Sequence, residues 1–494
     1  MSQRHASYGF LVLATVLTLG CGGLTSPRPT APASGTVFVF GTDAPACGIE
    51  SFPVTITSAS LIAQGGGQIT PLVSPAAPAT VDFARLEGST NLMGSASVPP
   101  GKYSELMVNL ANPQLVTLNT ANIPPTPQVA SVTLTSTSFL VPINPPLVVT
   151  STTTSGLTFD FNLRQSVQLN GSGQPMGAVD PQITLSPNTN SGSSVGEATA
   201  LYGIAGAPGA AGVSGSYTGS FPLTLSDGSG QTISVLVNDN TVFEGDGVTS
   251  LSQVAGNDFV EVDVIINTSG QAVAQTVDVE EPTSSAKQQS ALLGKVISVT
   301  RDASGNATSF SFLVQNVIPS IQGLLGENTS GFVGTALTAT LTNSTQYFVN
   351  WGQWNQQAFK FGPQTLGVAE NVAVFGTFST IPTLQYVANQ VFLRPRSVLG
   401  NFRVLQSAGS DGVTGAFTMA PCGGLFSNQV ITVLSYPGTT FNGLSGLSAV
   451  PSAPLLDPAG VLMYQPTSGV SSTGGNWTAP TWVMQAREVD QLPN

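Results

Sequence analysis

The sequence predicts an all-β protein, in which an N-terminal β-sandwich is followed by about three small β-barrel-like modules. Charged residues make up only 8% of the 494 residues, against about 25% in an ordinary soluble domain. The solvated surface must therefore consist largely of Ser, Thr, Asn and Gln, which suits strands that keep one face in water. Hydrophobic alternation of period two recurs along the chain, and outside the N-terminus we find no clear amphipathic helical pattern.

The charge balance excludes several classes of function. The net charge is −12 and the whole chain has only 13 Lys and Arg residues, so we expect no nucleic-acid partner, since such binding needs clustered basic residues. The single histidine, His5, precedes an apolar run that we expect to be removed. The mature chain would then have neither histidine-based catalysis nor histidine-ligated zinc, copper or haem.

Residues 1–20 predict a lipoprotein-type signal peptide. Arg4 lies in a polar start, and the apolar stretch at 10–19 is too short to span a bilayer as a mature helix. This stretch leads into Leu-Thr-Leu-Gly-Cys, which resembles the lipobox of bacterial lipoproteins and thereby implies lipidation of Cys21. The alternative is an ordinary secretory signal that is cleaved nearby. Residues 21–34 are typical of the flexible tether between a lipid anchor and the first domain.

An exported chain reaches an oxidising compartment, where disulfides persist. If Cys21 carries lipid, Cys47 and Cys422 are the remaining cysteines. They are either one disulfide that links the first domain to the last or two buried free thiols. Because no histidine remains in the mature chain, neither cysteine is expected to act as a Cys-His nucleophile.

The first domain, residues 35–187, shows the alternation of a β-sandwich. In the segment LTFDFNL, the apolar Leu157, Phe159, Phe161 and Leu163 are predicted to share one buried face. Several ordered motifs of this domain together resemble a family of uncharacterised bacterial lipoprotein domains, a domain of unknown function with a prealbumin-like sandwich. They are GTVFVFGTDAPACGIESFPVTITSASL (35–61), VDFARL (81–86), VPPGKYSELMVNLANPQL (98–115) and GLTFDFNLRQSV (156–167). The resemblance implies no activity and no site residues.

The remaining chain repeats with a period near 100 residues, which predicts three modules at 198–281, 290–395 and 400–494. The segments Thr241-Val-Phe243, Thr345-Gln-Tyr347 and Thr439-Thr-Phe441 correspond, and each is followed by a valine-rich strand. The first module resembles a second uncharacterised family of small OB-like β-barrels, whereas the third is the most divergent. The segments 186–198, 281–291 and 394–400 are predicted as boundaries.

Two groups of acidic residues are candidate sites. Asp239, Glu244 and Asp246 are a weak calcium candidate, because carboxylates and carbonyls suit a hard cation, but an ordinary strand edge and turn is the favoured interpretation of these residues. Glu261 and Asp263 share one face of the strand FVEVDV, and paired carboxylates are also what a glycosidase uses. An exposed strand face is the ordinary interpretation of this pair.

Trp351 and Trp354, followed by three amide side chains, are the aromatic and polar cluster of the chain. Two indoles flanked by amides are typical of a platform for sugar rings, although two large aromatics also close the end of a barrel core.

Together these features predict an exported, membrane-anchored protein of the cell envelope or cell surface, with a non-catalytic binding or structural role and no cofactor. The expected partners are the membrane, through the lipid, and a glycan or an envelope protein. A carboxylate-dependent carbohydrate-active enzyme is one alternative function. An adhesion or assembly subunit that docks through a strand edge is another.

Overall fold

The computed structural model describes residues 34–492 with short gaps. The residues left out inside this range are 44–45, 68, 76–77, 87–89, 120–121, 123–124, 171–175, 189–193, 214, 226–231, 246–247, 282–289, 319–331, 333, 350–358, 380–384 and 427–428. The protein is nearly all β, with several sheets and barrel-like closed sheets, as the sequence predicts.

The N-terminal domain is built from strands, one short α-helix and a 3-10 helix at Phe83–Leu86. Its elements are β1 (Gly35–Thr42), β2 (Pro53–Ala63), β3 (Ile69–Val73), β4 (Ala79–Asp82), β5 (Asn91–Val98), β6 (Gly101–Ala111), β7 (Gln114–Asn119), β8 (Thr126–Ser131), β9 (Ser138–Val149), β10 (Thr154–Phe161), α1 (Leu163–Ser166) and β11 (Ile183–Pro187). One sheet has the order β3–β2–β6–β9–β11–β10–β1–β5, with β4 paired to β2, and β7 and β8 form a separate ribbon.

The two halves of this sheet enclose a common core. Val54 of β2 and Leu106 of β6 belong to the same buried cluster as Val37 of β1 and Phe159 of β10. The alternation predicted for residues 157–163 is confirmed, because each of its four apolar side chains is at most 2% exposed. The strand itself ends at Phe161, where the Asn162 side chain caps α1 by accepting a hydrogen bond from the Gln165 N–H at 3.0 Å.

Three barrels follow, each with the same strand order. The first consists of β12 (Ser194–Ala205), β13 (Tyr217–Leu225), β14 (Thr232–Asn238), β15 (Val242–Gly245), β16 (Phe259–Asn267) and β17 (Ala272–Glu281). The second consists of β18 (Ser290–Arg301), β19 (Ala307–Ile318), β20 (Ala336–Thr340), β21 (Gln346–Val349), β22 (Asn371–Ser379) and β23 (Gln385–Ser397). The third consists of β24 (Gly400–Ala408), β25 (Gly415–Pro421), β26 (Ile431–Asn442), β27 (Leu455–Gln465) and β30 (Thr481–Leu492), with the small hairpin β28 (Gly469–Val470) and β29 (Asn476–Trp477) beside it.

In every barrel the third strand pairs in parallel with the last strand and closes the sheet. The closing pairs are β14 with β17, β20 with β23, and β26 with β30. The first barrel therefore runs β14–β13–β12–β16–β17 and returns to β14, and the other two repeat this path. The third module, which looked most divergent in sequence, thus shares the topology of the first.

The threonines that the sequence analysis aligned occupy equivalent places in the three barrels. The Oγ1 atoms of Thr241, Thr345 and Thr439 donate to the carbonyl oxygens of Ala274, Ala388 and Ala486 at 2.8, 2.8 and 2.7 Å. Each Oγ1 also accepts a hydrogen bond from the backbone N–H three residues earlier. The threonine therefore fastens the segment after the third strand onto the last strand of its barrel.

Two of the predicted boundary segments are more ordered than linkers. Within 186–198, β11 ends at Pro187 and β12 already begins at Ser194. Within 394–400, the end of β23 pairs with β27, so the second and third barrels share one eleven-stranded sheet. Val398 and Leu399 are buried there, at 2% and 4% exposure. This connection is thus part of a packed interface.

The N-terminal domain also packs against the barrels. Phe40 and Leu92 enter the core of the first barrel, and Val116 of β7 enters the core of the third. A further buried cluster joins the first two barrels through Tyr202, Phe259 and Phe392, among other residues. The barrels and the first domain therefore meet in one central region.

Candidate functional site

A polar cavity of about 130 Å³, which we call the arginine cavity, lies where the N-terminal domain and the three barrels meet. Its polar and charged lining residues are Arg85, Asn91, Thr199, Tyr202, Glu261, Asp263, Gln315, Asn371, Arg394, Arg396 and Arg487. Four of the 13 Lys and Arg residues of the chain thus line one cavity. Such a concentration in a protein so poor in charge marks this region as the candidate site.

Strand geometry places these side chains. Arg394 and Arg396 lie two residues apart on β23, as do Glu261 and Asp263 on β16, and residues at this spacing share one face of a strand. Val260, Val262 and Val264 point the other way and are fully buried in the first barrel. The barrel core therefore fixes the strand whose opposite face carries the two carboxylates.

The centre of the site is an ion pair between two barrels. Arg394 donates from Nη1 to Glu261 Oε2 at 2.6 Å and from Nη2 to Glu261 Oε1 at 2.7 Å. The Tyr202 hydroxyl donates to Glu261 Oε2 at 3.1 Å, and the guanidinium carbon lies 4.7 Å from the centre of the Tyr202 ring. Such a two-pronged, aromatic-backed arrangement holds the guanidinium in one orientation.

Burial and, secondly, the nearby Arg85 guanidinium lower the pKa of Arg394 to about 9. This pKa remains above neutral pH, so Arg394 stays protonated there. Arg396, two residues further on β23, donates to the carbonyl oxygen of Ala369 and from Nε to that of Ser397 at 3.1 Å. The guanidinium carbon of Arg396 also lies 5.9 Å from the ring centre of Phe426 in the third barrel, so both arginines of β23 contact a neighbouring barrel.

A second ion pair fastens the N-terminal domain to the second barrel. Lys295 of β18 donates to Glu50 Oε2 at 2.5 Å, and both side chains are 8% exposed. Gln315 of β19 donates from Nε2 to the Glu50 carbonyl oxygen at 2.7 Å. The segment before β2 is thereby held beside the arginine cavity.

The same segment is joined covalently to the third barrel. Cys47 and Cys422 form a disulfide, with their Cα atoms 5.6 Å apart. Of the two alternatives that the sequence left open, the structure has the pairing. The bond connects residues that are 375 positions apart, near the beginning and the end of the described chain.

A larger cavity of about 500 Å³, the aromatic cavity, lies between the second and third barrels and also borders the N-terminal domain. Tyr464 and Trp482 line it, with ring centres 5.7 Å apart at 65°. The Trp482 Nε1 donates to the Val368 carbonyl oxygen at 2.8 Å, and the guanidinium carbon of Arg301 lies 5.1 Å from the Tyr464 ring centre. Its volume and its aromatic and aliphatic walls with a few polar groups are typical of small-molecule sites.

Glu370 is a fully buried acid next to the aromatic cavity. Its two carboxylate oxygens accept the backbone N–H groups of Gly367 at 2.9 Å and Tyr464 at 2.7 Å. Burial raises the pKa of Glu370 well above its ordinary value, although these N–H donors and Arg301 act in the opposite direction. Glu370 links a loop of the second barrel to β27 of the third and positions Tyr464.

The predicted acidic sites are separate in the structure. Glu261 and Asp263 line the arginine cavity, and the Glu261 side chain is only 11% exposed. The interpretation of this pair as an exposed strand face is therefore wrong, because Arg394 of the second barrel covers it.

The three residues of the calcium candidate lie in different places. Asp239 lies in an exposed turn after β14, Glu244 belongs to β15, and Asp246 lies outside the described residues. Within the described ranges, no group of three or more His, Cys, Asp or Glu residues is arranged to hold a metal ion.

Other predicted residues fall outside the described part of the chain. They are Cys21, Trp351 and Trp354. Among the described elements, no helix has the length and apolar character that crossing a membrane requires.

Sequence reasoning missed the arginines. Arg85, Arg394 and Arg487 appeared only inside motifs used to align strands or to mark a boundary. The available signal was their position in apolar segments of a chain with 8% charge, since a charged residue that is buried with such a segment must find a partner or line a polar cavity.

A family model matches the first domain. Residues 34–176 match the model of a family described as a domain of unknown function (DUF4382), which agrees with the prediction of a domain of unknown function in this part of the chain. No curated protein matches the chain. The matching solved structures include one titled "drosophila Unr CSD456", with 9% identity and a TM-score of 0.14 over 60% of this chain and 98% of that chain. A TM-score this low supports no conclusion about fold or function.

Proposed function

We propose that this chain is an exported protein of the cell envelope, anchored through a lipid on Cys21, with a non-catalytic binding or structural role. The observation that carries the proposal is the Cys47–Cys422 disulfide between the first domain and the last barrel. Disulfides of this kind persist in oxidising compartments and are rare in the cytosol. The export signal and lipobox-like segment at residues 1–21 are consistent with that location.

The buried contacts support a rigid arrangement of the first domain and the barrels, with preformed binding sites between them. The two ion pairs, the shared sheet and the disulfide hold the first domain and the barrels in one arrangement. Preformed cavities between rigid elements are the usual place for small ligands. We propose the aromatic cavity as such a site, with a glycan or another ring-bearing molecule as its ligand.

We also propose that the three modules are OB-like barrels. The support is their five-stranded closed path with a Greek-key connection, repeated three times.

Anchoring is tested with the Cys21→Ala variant in a bacterial host. We expect the wild-type protein to incorporate radiolabelled palmitate and to sediment with membranes, and the variant to lose the label and become soluble, because one thioether-linked lipid site would be absent. The Cys47→Ala variant is the matched control, since it also removes a cysteine and should keep the label. Equal labelling of wild type and Cys21→Ala would refute lipidation at this residue.

Ligand binding is tested on a glycan array with three proteins. The double variant Trp351→Ala/Trp354→Ala addresses the predicted platform, and Tyr464→Ala addresses the aromatic cavity. Loss of binding only in Tyr464→Ala would support the cavity, and loss only in the double variant would place the site at the tryptophans. Release of shortened glycans by the wild-type protein would contradict the non-catalytic role.

A further inference from the structure

The N-terminal domain leaves one apolar sheet face in contact with solvent. Its half β11–β10–β1–β5 carries Phe40 and Leu92 into the core of the first barrel. In the other half, β3–β2–β6–β9, the side chains of Ile69, Met107 and Leu140 are 66%, 39% and 53% exposed with the barrels in place. We call this surface of β3–β2–β6–β9 the outer face of the first domain.

Strand register makes these apolar side chains neighbours. Met107 of β6 lies directly opposite Leu140 of β9, and Ile62 of β2 lies opposite Ile69 of β3. Residues paired in this way point to the same side of a sheet, about 5 Å apart. The alternate residue Leu106 points into the domain core and is buried. An exposed apolar patch of this kind marks a surface that binds a protein, a ligand or a membrane.

The outer face carries almost no charge. In the four strands that form it, Lys102 and Glu105 of β6 are the only charged residues. These two charges cancel, whereas the whole chain has a net charge of −12. An anionic lipid surface, which repels an acidic protein, therefore does not repel this face.

The first strand of the domain begins beside the outer face. Gly35 lies so close to the end of β9 that a Cβ atom on it would meet the Val149 side chain. The preceding residue, Val148, points the other way, is 53% exposed and lies opposite Lys102. The chain thus enters the domain at one end of the outer face.

The length of the segment after Cys21 allows this face to reach a membrane. Cys21 and Ser34 are 13 positions apart, a stretch that spans at most about 45 Å. Along β9, the distance from Val148 to Leu140 is roughly 27 Å. A lipid on Cys21 would therefore hold the whole outer face within reach of the bilayer, at a high effective concentration.

We infer that the outer face of the first domain rests on the membrane, with Met107, Leu140 and Val148 in the lipid interface. This inference rests on the proposed anchoring at Cys21, since the anchor makes weak contacts by a few apolar side chains sufficient to orient the domain. The barrels that pack against the opposite half of the domain would then be held away from the bilayer.

The test tethers residues 22–494 through an N-terminal hexahistidine tag to vesicles of phosphatidylcholine and phosphatidylglycerol that contain a nickel-chelating lipid. It therefore does not depend on native lipidation, and it keeps every described residue. The polarity-sensitive fluorophore NBD is attached at Leu140→Cys or, as the matched control, at Val404→Cys, since Val404 of the third barrel is similarly exposed at 57%. We expect tethering to shift the emission of the Leu140→Cys probe to the blue and to raise it several-fold, with no change for Val404→Cys.

A second variant tests the face as a whole. Met107→Ser combined with Ile69→Ser in the labelled Leu140→Cys protein should abolish most of the shift, and thermal unfolding checks that these exposed positions leave the fold intact. The inference is overturned if the Leu140→Cys probe on tethered protein still emits as in water. It is also overturned if the shift appears without vesicles and grows with protein concentration, which would assign the face to a second copy of the chain. Failure of palmitate labelling with a shift on tethered vesicles would refute only the anchoring at Cys21.

Discussion

Individual charged side chains make the most specific contacts between the parts of this molecule. Glu261 and Arg394 lie 133 residues apart and meet across two barrels. The local sequence correctly places Glu261 and Asp263 opposite the valines of β16. The local sequence does not show that the second barrel covers this face. The burial of Glu261 could therefore not be predicted from the alternation of residues along its strand.

Replacement of Glu261 by Gln tests how much the ion pair with Arg394 contributes to the stability of the fold. We expect the free energy of unfolding to fall by about 3–5 kcal/mol, because Arg394 would be left buried without its carboxylate. Urea denaturation followed by tryptophan fluorescence measures the change. Asp239→Asn removes a carboxylate from an exposed turn and should stay within about 0.5 kcal/mol of the wild type. A similar effect of both variants would show that the ion pair contributes little.

Asp490 gives the protein a pH-dependent contribution to stability. Burial and, secondly, the Glu488 carboxylate raise the pKa of Asp490 to about 6. The folded state therefore holds this proton more tightly than the unfolded chain, whose Asp has a pKa near 3.9, and this stability is lost as the pH rises from about 4 through 6.

The Asp490→Asn variant removes that contribution. At pH 4 or below we expect it to match the wild type, and at pH 7 we expect it to be more stable by about 1 kcal/mol once solvent screening is taken into account. Thermal unfolding of both proteins across this pH range measures the difference. A stability difference that does not change with pH would contradict the raised pKa.

The repeated elements were the most predictable part of the fold. Hydrophobic alternation predicted which face of each strand is buried. The threonine-aromatic segments aligned the three modules correctly even where loop lengths differ. The closing parallel pairs, such as β26 with β30, were not predictable, because they join segments about 50 residues apart that have no common local pattern. The sequence divergence of the third module lies in side chains that leave the strand path unchanged.

The contact that the threonines make in all three barrels predicts the effect of Thr345→Val. The variant keeps the shape of the side chain but leaves the Ala388 carbonyl and the Thr342 N–H without this partner, so we expect a loss of about 1–3 kcal/mol of unfolding free energy. Thr338→Val changes an exposed threonine of β20 and should have little effect. Chemical denaturation measures the free energy of unfolding of both variants. Equal values would mean that the hydrogen bonds of Thr345 do not stabilise the barrel.

The whole molecule consists of an N-terminal β-sheet domain and three closed barrels that meet around one charged junction. The sequence predicted the units and their order but treated the segments between them as linkers. Burial of Val398 and Leu399 and the shared strand β23 show that the second and third barrels pack directly. Contacts of this kind depend on the shapes of two folded surfaces, which a periodicity of single strands does not encode.

The Cys47–Cys422 bond joins the first domain to the last barrel, and a bond of this kind persists in the oxidising compartment proposed for this protein. The most direct test is peptide mapping by mass spectrometry of the protein isolated from the cell envelope, with free thiols alkylated before unfolding and again, under denaturing conditions, before digestion. We predict a cross-linked peptide that contains Cys47 and Cys422, with neither residue alkylated before reduction. Alkylation of both cysteines in the unreduced, denatured protein would contradict the account.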